Sequence, residues 1–347
     1  MFTAVSSIAL SNPYRKKQVE TLLAQANLQL DPHLDYTCGI FDAEDRLIAT
    51  GSCYRHTLRC FAIHPDYQGE GLLNQILSHL LSYQAENGYF HSFVYTKVSA
   101  APLFLAAGFH EIVRVNNDLV FLENRKTGFS NYLQKLATSL PATQKNAAIV
   151  MNANPFSLGH LHLIETACAQ NDWVHVFIVR EDSSVFPYDI RKKLILDGTA
   201  HLTNISYHDT GDYLISHATF PSYFIPDSAD AIRIQAELDI ELFIKIARQL
   251  NITHRYVGEE PFSQMTAIYN QVMQKRLTEA TITLHILPRL EVNGQAVSAS
   301  HIRQAIQRSD YNQLALWVSP TTLAFLKTPE AQPIIHAIQN TGDVIHH

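Results

Sequence analysis

The sequence predicts an α+β domain followed by an α/β domain built on a parallel sheet and closed by C-terminal helices. The 347 residues amount to roughly two domains at about 150 residues each, both large enough to bury a core. The rhythm of the pattern also changes at one place, a polar segment around residues 125–145 that ends in a Pro/Thr/Gln/Lys cluster. Before it, consecutive strands run into a loop and a helix, as in an antiparallel α+β sheet. After it, strands alternate with helices, as in a parallel sheet with crossover connections. The predicted spans are 1–124, a linker at 125–145, and 146–347.

In order, Asn12-Pro13 is a start signal for a helix that runs to about Asn27. Strands follow at Cys38–Asp42, Leu47–Tyr54 and Leu58–His64, the first two joined by the turn Ala43-Glu44-Asp45-Arg46. A glycine-containing loop leads into an amphipathic helix over Leu72–Glu86, then a strand at Phe90–Tyr95. A short helix near Ala100–Ala107 and two strands close the block, and the linker holds one weak helical stretch. The second block places strands at Ala147–Asn152, Trp173–Val179, Ile205–His208, Arg255–Val257 and Ile282–Leu287. From Ser300 onward the pattern is helical, punctuated by Pro320, Pro329 and Pro333.

Composition removes several classes of function. A net charge of −6 leaves neither a basic nucleic-acid stripe nor an acidic tail. Apolar runs fall short of the roughly 18 residues that cross a bilayer, so no membrane partner is expected. The first residues carry their basic cluster after the apolar stretch, the reverse of a secretory leader. Cys38, Cys53, Cys60 and Cys168 show no CxxC pair, which reads as free thiols in a reducing, cytoplasmic setting. The 18 histidines are scattered and read mostly as surface or satisfied core residues, with His346 and His347 in a tail.

The first strand of the second block runs into Asn154-Pro155-Phe156-Ser157-Leu158-Gly159-His160 and then a helical run. A turn into a helix N-terminus at the carboxyl end of a parallel strand is where such sheets bind anions. Gly159 permits close backbone approach, and His160 at the helix mouth can donate to a phosphate oxygen and stabilise charge developing at phosphorus. Far downstream, Ser298-Ala299-Ser300-His301-Ile302-Arg303 offers a second serine-capped helix N-terminus with a guanidinium one turn in. Each alone has a plainer explanation, a turn glycine or an ordinary capped helix. The ordered pair resembles the nucleotidyltransferases of the HxGH type, whose fold is Rossmann-like. Ser157 stands where His or Thr is usual and Ser300 where Thr is usual; both keep a hydroxyl. The resemblance implies that His160 contacts the α-phosphate of ATP. It also implies that Ser298, Ser300 and Arg303 hold the other phosphates, with Mg²⁺ as counter-charge.

A longer ordered series is more specific. It comprises Asn152-Ala153-Asn154-Pro155-Phe156, Arg180-Glu181-Asp182-Ser183, Phe186-Pro187-Tyr188 with Arg191, and Gly211-Asp212-Tyr213. Phe220-Pro221-Ser222-Tyr223-Phe224 and Gly258-Glu259-Glu260-Pro261-Phe262 follow, with Thr266, Tyr269 and Asn270. The series resembles the citrate lyase ligase family over essentially the whole chain. That family implies a ligase that uses ATP and acetate to acetylate the prosthetic-group thiol of the acyl carrier (γ) subunit of citrate lyase. It implies catalytic roles for His160, Ser157 and Arg303. Nucleotide binding falls to Asn152, Asn154, Pro155, Phe156, Gly159, Gly258, Glu259, Glu260, Ser298 and Ser300. Metal ligands are not assigned. The acetate pocket is expected either at the Phe220–Phe224 segment or around Asp182.

In the first block, Gln68-Gly69-Glu70-Gly71 follows a strand and opens a helix. It resembles the loop of the GNAT-type acetyltransferases in which backbone amides cradle the pyrophosphate of coenzyme A. Ala100–Phe109 resembles a later helix of that family. Phe104 stands where a tyrosine often protonates the leaving thiolate, and Lys97 where Asn is usual. A phenyl ring donates no proton, so the expectation is a block in which Gln68, Gly69 and Gly71 bind a CoA-like arm without chemistry. Two other readings stand beside this one: adenylyl transfer to a phosphate-bearing acceptor, and a non-catalytic carrier-binding adaptor.

Overall fold

The computed structural model describes residues 4–138, 145–180, 184–214, 220–225, 228–259 and 264–340. The chain forms two compact units, Met1–Tyr132 with Thr219–Glu241, and Leu133–Ala218 with Leu242–His347. Beside the expected continuous span 146–347, the grouping of Thr219–Glu241 with the first unit is a difference that local patterning does not carry.

The first unit is a seven-stranded sheet in the order β1-β2-β3-β4-β5-β7-β6. Its elements are β1 (Ser6–Ser7), α1 (Pro13–Gln25), β2 (Tyr36–Phe41), β3 (Leu47–Tyr54), β4 (Thr57–Ile63) and α2 (Leu72–Glu86). After these come β5 (Phe93–Thr96), α3 (Ala101–Ala106), β6 (His110–Val115), β7 (Leu119–Glu123) and α4 (Gly128–Ala137). Asn12 caps α1 by accepting from the amides of Tyr14 and Arg15, and Pro13 presets its first turn. The apolar face of α2, Leu72, Ile76, Leu77 and Leu80, packs with Phe104 and Phe109 against Cys38, Ile40, Ile48 and Val94. Phe104 is thus core. The sheet is antiparallel except where β4 meets β5 in parallel, because α2 crosses between them and returns the chain in the same direction.

The second unit is a five-stranded parallel sheet in the order β10-β9-β8-β11-β12. Its strands are β8 (Asn146–Met151), β9 (Trp173–Ile178), β10 (Ile205–Asp209), β11 (Ile252–Gly258) and β12 (Thr283–Leu287). The helices between them are α5 (Leu158–Gln170), α6 (Tyr188–Gly198), α7 (Ser228–Gln249, whose first part belongs to the first unit) and α8 (Gln264–Glu279). A short hairpin, β13 (Glu291–Val292) and β14 (Gln295–Ala296), precedes α9 (Ala299–Gln307), α10 (Tyr311–Trp317), α11 (Pro320–Phe325) and α12 (Gln332–Asn340). The C-terminal helices share one core with the sheet: Ile302, Trp317 and Ile338 pack with Ile149, Ile164 and Val176. The order, counted from the first strand of the unit, is that of the doubly wound α/β fold, whose ligand crevice lies where the direction of winding reverses. Here that point is the carboxyl end of β8 beside β11.

Four histidines pair across neighbouring strands, His175 Nδ1 to His208 Nε2 and His254 Nδ1 to His285 Nε2, each at 2.9 Å. Burial pushes His175 down to about 3 and His208 down to about 4, with His208 adding to the shift of His175. His175 is fully buried and His208 half-buried, so the first pair is a neutral pair of the interior; His254 and His285 are half-buried, and desolvation lowers both of their pKa values too. All four cysteines are buried free thiols.

Candidate nucleotide site

A cavity of about 900 Å³ opens at the carboxyl end of β8. Met151 at the end of β8 and Asn152, Ala153 and Asn154 from the loop after it line it, with Ser157, Gly159 and His160 at the start of α5. Ser298, Ser300 and Arg303 from the start of α9, and Gly258 and Glu259 from the end of β11, line it too. The two motifs, separated by well over a hundred residues, therefore face one space. Glu260 lies outside the described residues. Phe156 and Pro155 do not line the cavity. Phe156 is fully buried behind it, and its carbonyl accepts from Thr322 Oγ1 at 3.4 Å.

Three local devices hold the loop. The buried Arg191 donates to the carbonyls of Asn152 (2.8 Å), Val179 (2.9 Å) and Phe186 (2.9 Å), tying the ends of β8 and β9 together. Asn154 Oδ1 accepts from the amide of Phe186 at 3.0 Å. Arg303 Nη1 donates to the Asn154 carbonyl at 2.7 Å, so this guanidinium anchors the loop as well as lining the cavity. Burial lowers the Arg303 pKa; an arginine remains charged after any such shift.

Ser157 caps α5, its Oγ accepting from the His160 amide at 3.2 Å. In return His160 Nδ1 accepts from the Ser157 amide at 3.1 Å and lies 2.8 Å from Ser157 Oγ. An Nδ1 that accepts from an N–H carries no proton, so the proton of the neutral ring sits on Nε2. Burial lowers the His160 pKa to about 4, which keeps the ring neutral near pH 7. The Ser157 hydroxyl thus closes the cap of α5, and the Ser157 amide fixes the tautomer of His160. A Cβ on Gly159 would stand 3.3 Å from the Val297 carbonyl. Glycine there lets the start of α5 approach the strand end that leads into α9. Ser298 caps α9 in the same way, accepting from the His301 amide at 3.2 Å. Two helix N-termini, α5 and α9, thus flank one cavity, each with amides and a positive dipole end that favour anions.

Two cationic lining residues escaped the sequence reading. Arg255 on β11 lies with its guanidinium 4.0 Å from the Phe243 ring centroid, and Arg289 follows β12 and donates to the Glu259 carbonyl at 2.8 Å. With Arg303 they set three guanidiniums against one carboxylate, Glu259, among the described lining residues. Arg255 lies midway along β11, the neighbour of β8, and Arg289 follows β12 on the far side of β11, so sheet order rather than local sequence brings them to the cavity. Thr266, Tyr269 and Asn270 of α8 complete one wall. No described residue of the Phe220–Phe224 segment lines the cavity, and that segment belongs to the first unit. Asp182 lies outside the described residues.

A family profile described as "Citrate lyase ligase C-terminal domain" matches residues 146–326. A curated citrate (pro-3S)-lyase ligase from Klebsiella pneumoniae is 38% identical over 323 residues, covering 91% of this chain and 94% of that protein. The chain belongs to the citrate lyase ligase family. Its membership extends over both units and places it among the ligases. Among solved structures, a GNAT-family acetyltransferase from Staphylococcus aureus Mu50 is 14% identical, covering 35% of this chain and 98% of its own, with a TM-score of 0.29. A structure described as a nicotinate-nucleotide adenylyltransferase from Vibrio parahaemolyticus is 21% identical, covering 53% and 99%, with a TM-score of 0.34. In this citrate lyase ligase family member Gln68, Gly69 and Gly71 lie in the first unit, on an exposed loop between β4 and α2. Gly69 and Gly71 have φ of +85° and +76°, with open space where a Cβ would stand. Gly71 caps α2 without a side-chain bond, which leaves the first amides of that helix to solvent or a ligand.

Proposed function

We propose that the chain activates citrate lyase by ATP-dependent acetylation of the prosthetic-group thiol on its acyl carrier subunit. Acetate oxygen attacks the α-phosphorus of ATP and diphosphate leaves; the carrier thiolate then attacks the carbonyl of the acetyl-adenylate and AMP leaves. The observation that carries the reading is the pair of helix N-termini, α5 and α9, facing one cavity together with a neutral His160 whose proton is on Nε2. Phosphoryl chemistry of this kind needs alignment and charge stabilisation more than covalent help. Nε2–H of His160 donates to a non-bridging oxygen of the α-phosphate as negative charge grows there. The amides at the start of α9, with Ser298, Ser300 and Arg303, hold the outer phosphates; Gly258 and Glu259 border the nucleoside.

Magnesium belongs to the substrate, arriving with ATP. Among the described residues no cluster of three metal-ligating side chains exists, and Mg²⁺ ordinarily needs only one or two carboxylates beside phosphates and water. Glu259 is the one carboxylate among the described residues that line the cavity. In the first unit, Gln68 and the glycine loop grip the pyrophosphate of the dephospho-CoA-like arm, and Phe104, a buried phenyl ring, donates no proton there.

The test follows the products. Chain, ATP, acetate and thiol-form carrier together should yield AMP and carrier thioester in equal amounts, and omission of acetate should abolish both. Formation of a dinucleotide from a phosphate-bearing acceptor, with no thioester, would contradict the reading.

A further inference from the structure

The cavity of the second unit has two walls, because side chains alternate between the two faces of each strand. Ile149 and Met151 of β8 and Tyr256 of β11 lie in the core shared with α5, α9 and α10. Val150, Arg255 and Val257 are one residue out of step with them and stand on the other face, and all three line the cavity. Phe243 of α7 packs on that face, with the Arg255 guanidinium 4.0 Å from its ring centroid. The chain runs from β8 to β9 and from β11 to β12 in opposite senses across the sheet. Right-handed crossovers therefore set α5 on one face and α8 on the other. From α8, Thr266, Tyr269, Asn270 and Met273 line the cavity, spaced as one face of a helix.

The phosphate-binding groups belong to the first of these faces, where α5 carries His160 and α9 carries Ser298, Ser300 and Arg303. In an in-line displacement the attacking and leaving oxygens lie on opposite sides of phosphorus. Diphosphate held at the start of α9 therefore sends the attacking carboxylate to the side of α8. There an acetate ion meets an anionic α-phosphate, and like charges repel unless a cation stands beside the attacking group. Arg255 supplies that cation. It is buried, and its contact with the Phe243 ring fixes the guanidinium without using an N–H. The planar fork matches both oxygens of a carboxylate, and a second lone pair on either oxygen remains for attack.

We propose that Arg255 holds the carboxylate of acetate and that Val150, Val257 and Met273 close around its methyl group; this rests on acetate being the acid adenylated in the cavity. The bond from acetate oxygen to the α-phosphorus forms as the bond to diphosphate breaks, and Arg255 keeps its protons throughout. Val150 and Val257 are half-buried and Met273 is 2% exposed. An unbranched thioether of this kind fills the space that a longer acyl chain would need. A pocket so closed discriminates by about 10–200-fold for each added methylene.

Exchange of labelled diphosphate into ATP by the full chain, at varied acetate, reads the pocket; calorimetric titration with ATP reads the nucleotide site and the fold. Arg255→Met should raise KM for acetate about a hundredfold with ATP affinity unchanged. Arg255→Lys keeps the charge and loses the fork; it should raise KM about tenfold, and it carries the test where the methionine variant does not fold. Met273→Ala, which leaves Arg255 in place, should narrow the preference for acetate over propionate about tenfold in kcat/KM. An unchanged KM for acetate in Arg255 variants that bind ATP overturns the pocket and leaves adenylation intact, as does an unchanged acid preference in Met273→Ala. Exchange that needs no acetate in the unaltered chain overturns both.

Discussion

At pH 7 the His160 ring is a neutral donor, because burial holds its pKa down at about 4 and the Ser157 amide claims Nδ1. Such a group stabilises a transition state without titrating in the working range. His160→Ala should lower kcat for acetate-dependent diphosphate release by about 10²–10³-fold, with a much smaller change in KM for ATP. An equal rise in KM with kcat unchanged would mean ground-state binding instead. The same burial links stability to acid. His160, His175 and His208 all have folded pKa values below the usual histidine value of 6.5. Their contribution is therefore complete above 6.5 and is lost as pH falls from 6.5 toward the folded values near 3–4. Denaturant midpoints should drop across that window, and a flat profile would contradict the neutral burial. Much at this scale was legible: Ser157, Gly159, His160, Ser298 and Arg303 sit in two local motifs, each a helix start. Arg255 and Arg289 were not, since nothing in their own neighbourhood marks them; sheet order brings them to the cavity.

At the scale of elements, the strand–turn–helix from β8 to α5 stands out because alternation, a turn and a cap agree within one short stretch. Its rigidity is less local. Phe156 fills a slot on α6, where a Cβ on Gly198 would stand 2.6 Å from the ring. Gly198→Ala should overpack this joint at a cost of about 1–3 kcal/mol, lowering Tm by about 2–4 °C per kcal/mol. An unchanged Tm would mean that the ring moves freely. The parallel meeting of β4 and β5 was harder to read than the strands themselves. Residues 57–63 and 93–96 look like any two strands of an α+β block; only the crossover helix α2 fixes their direction.

Over the whole molecule, the two-unit count and the order of fold classes follow from length and rhythm, and the observed sheets agree with both. Less of the partition was accessible. The aromatic run Phe220–Phe224 was one of two places expected for an acetate pocket; its Phe220, Tyr223 and Phe224 are buried within the first unit. A segment's unit is decided by long-range packing, which local periodicity does not carry. Near-neutral net charge is no obstacle to ATP, because three guanidiniums and two helix N-termini concentrate positive potential in one cavity while the remaining charge is dispersed. If acetate is adenylated at that cavity, the enzyme exchanges labelled diphosphate into ATP. Exchange should appear on adding acetate, without carrier, and vanish in His160→Ala. Exchange that proceeds equally without acetate, or that survives in His160→Ala, would contradict it.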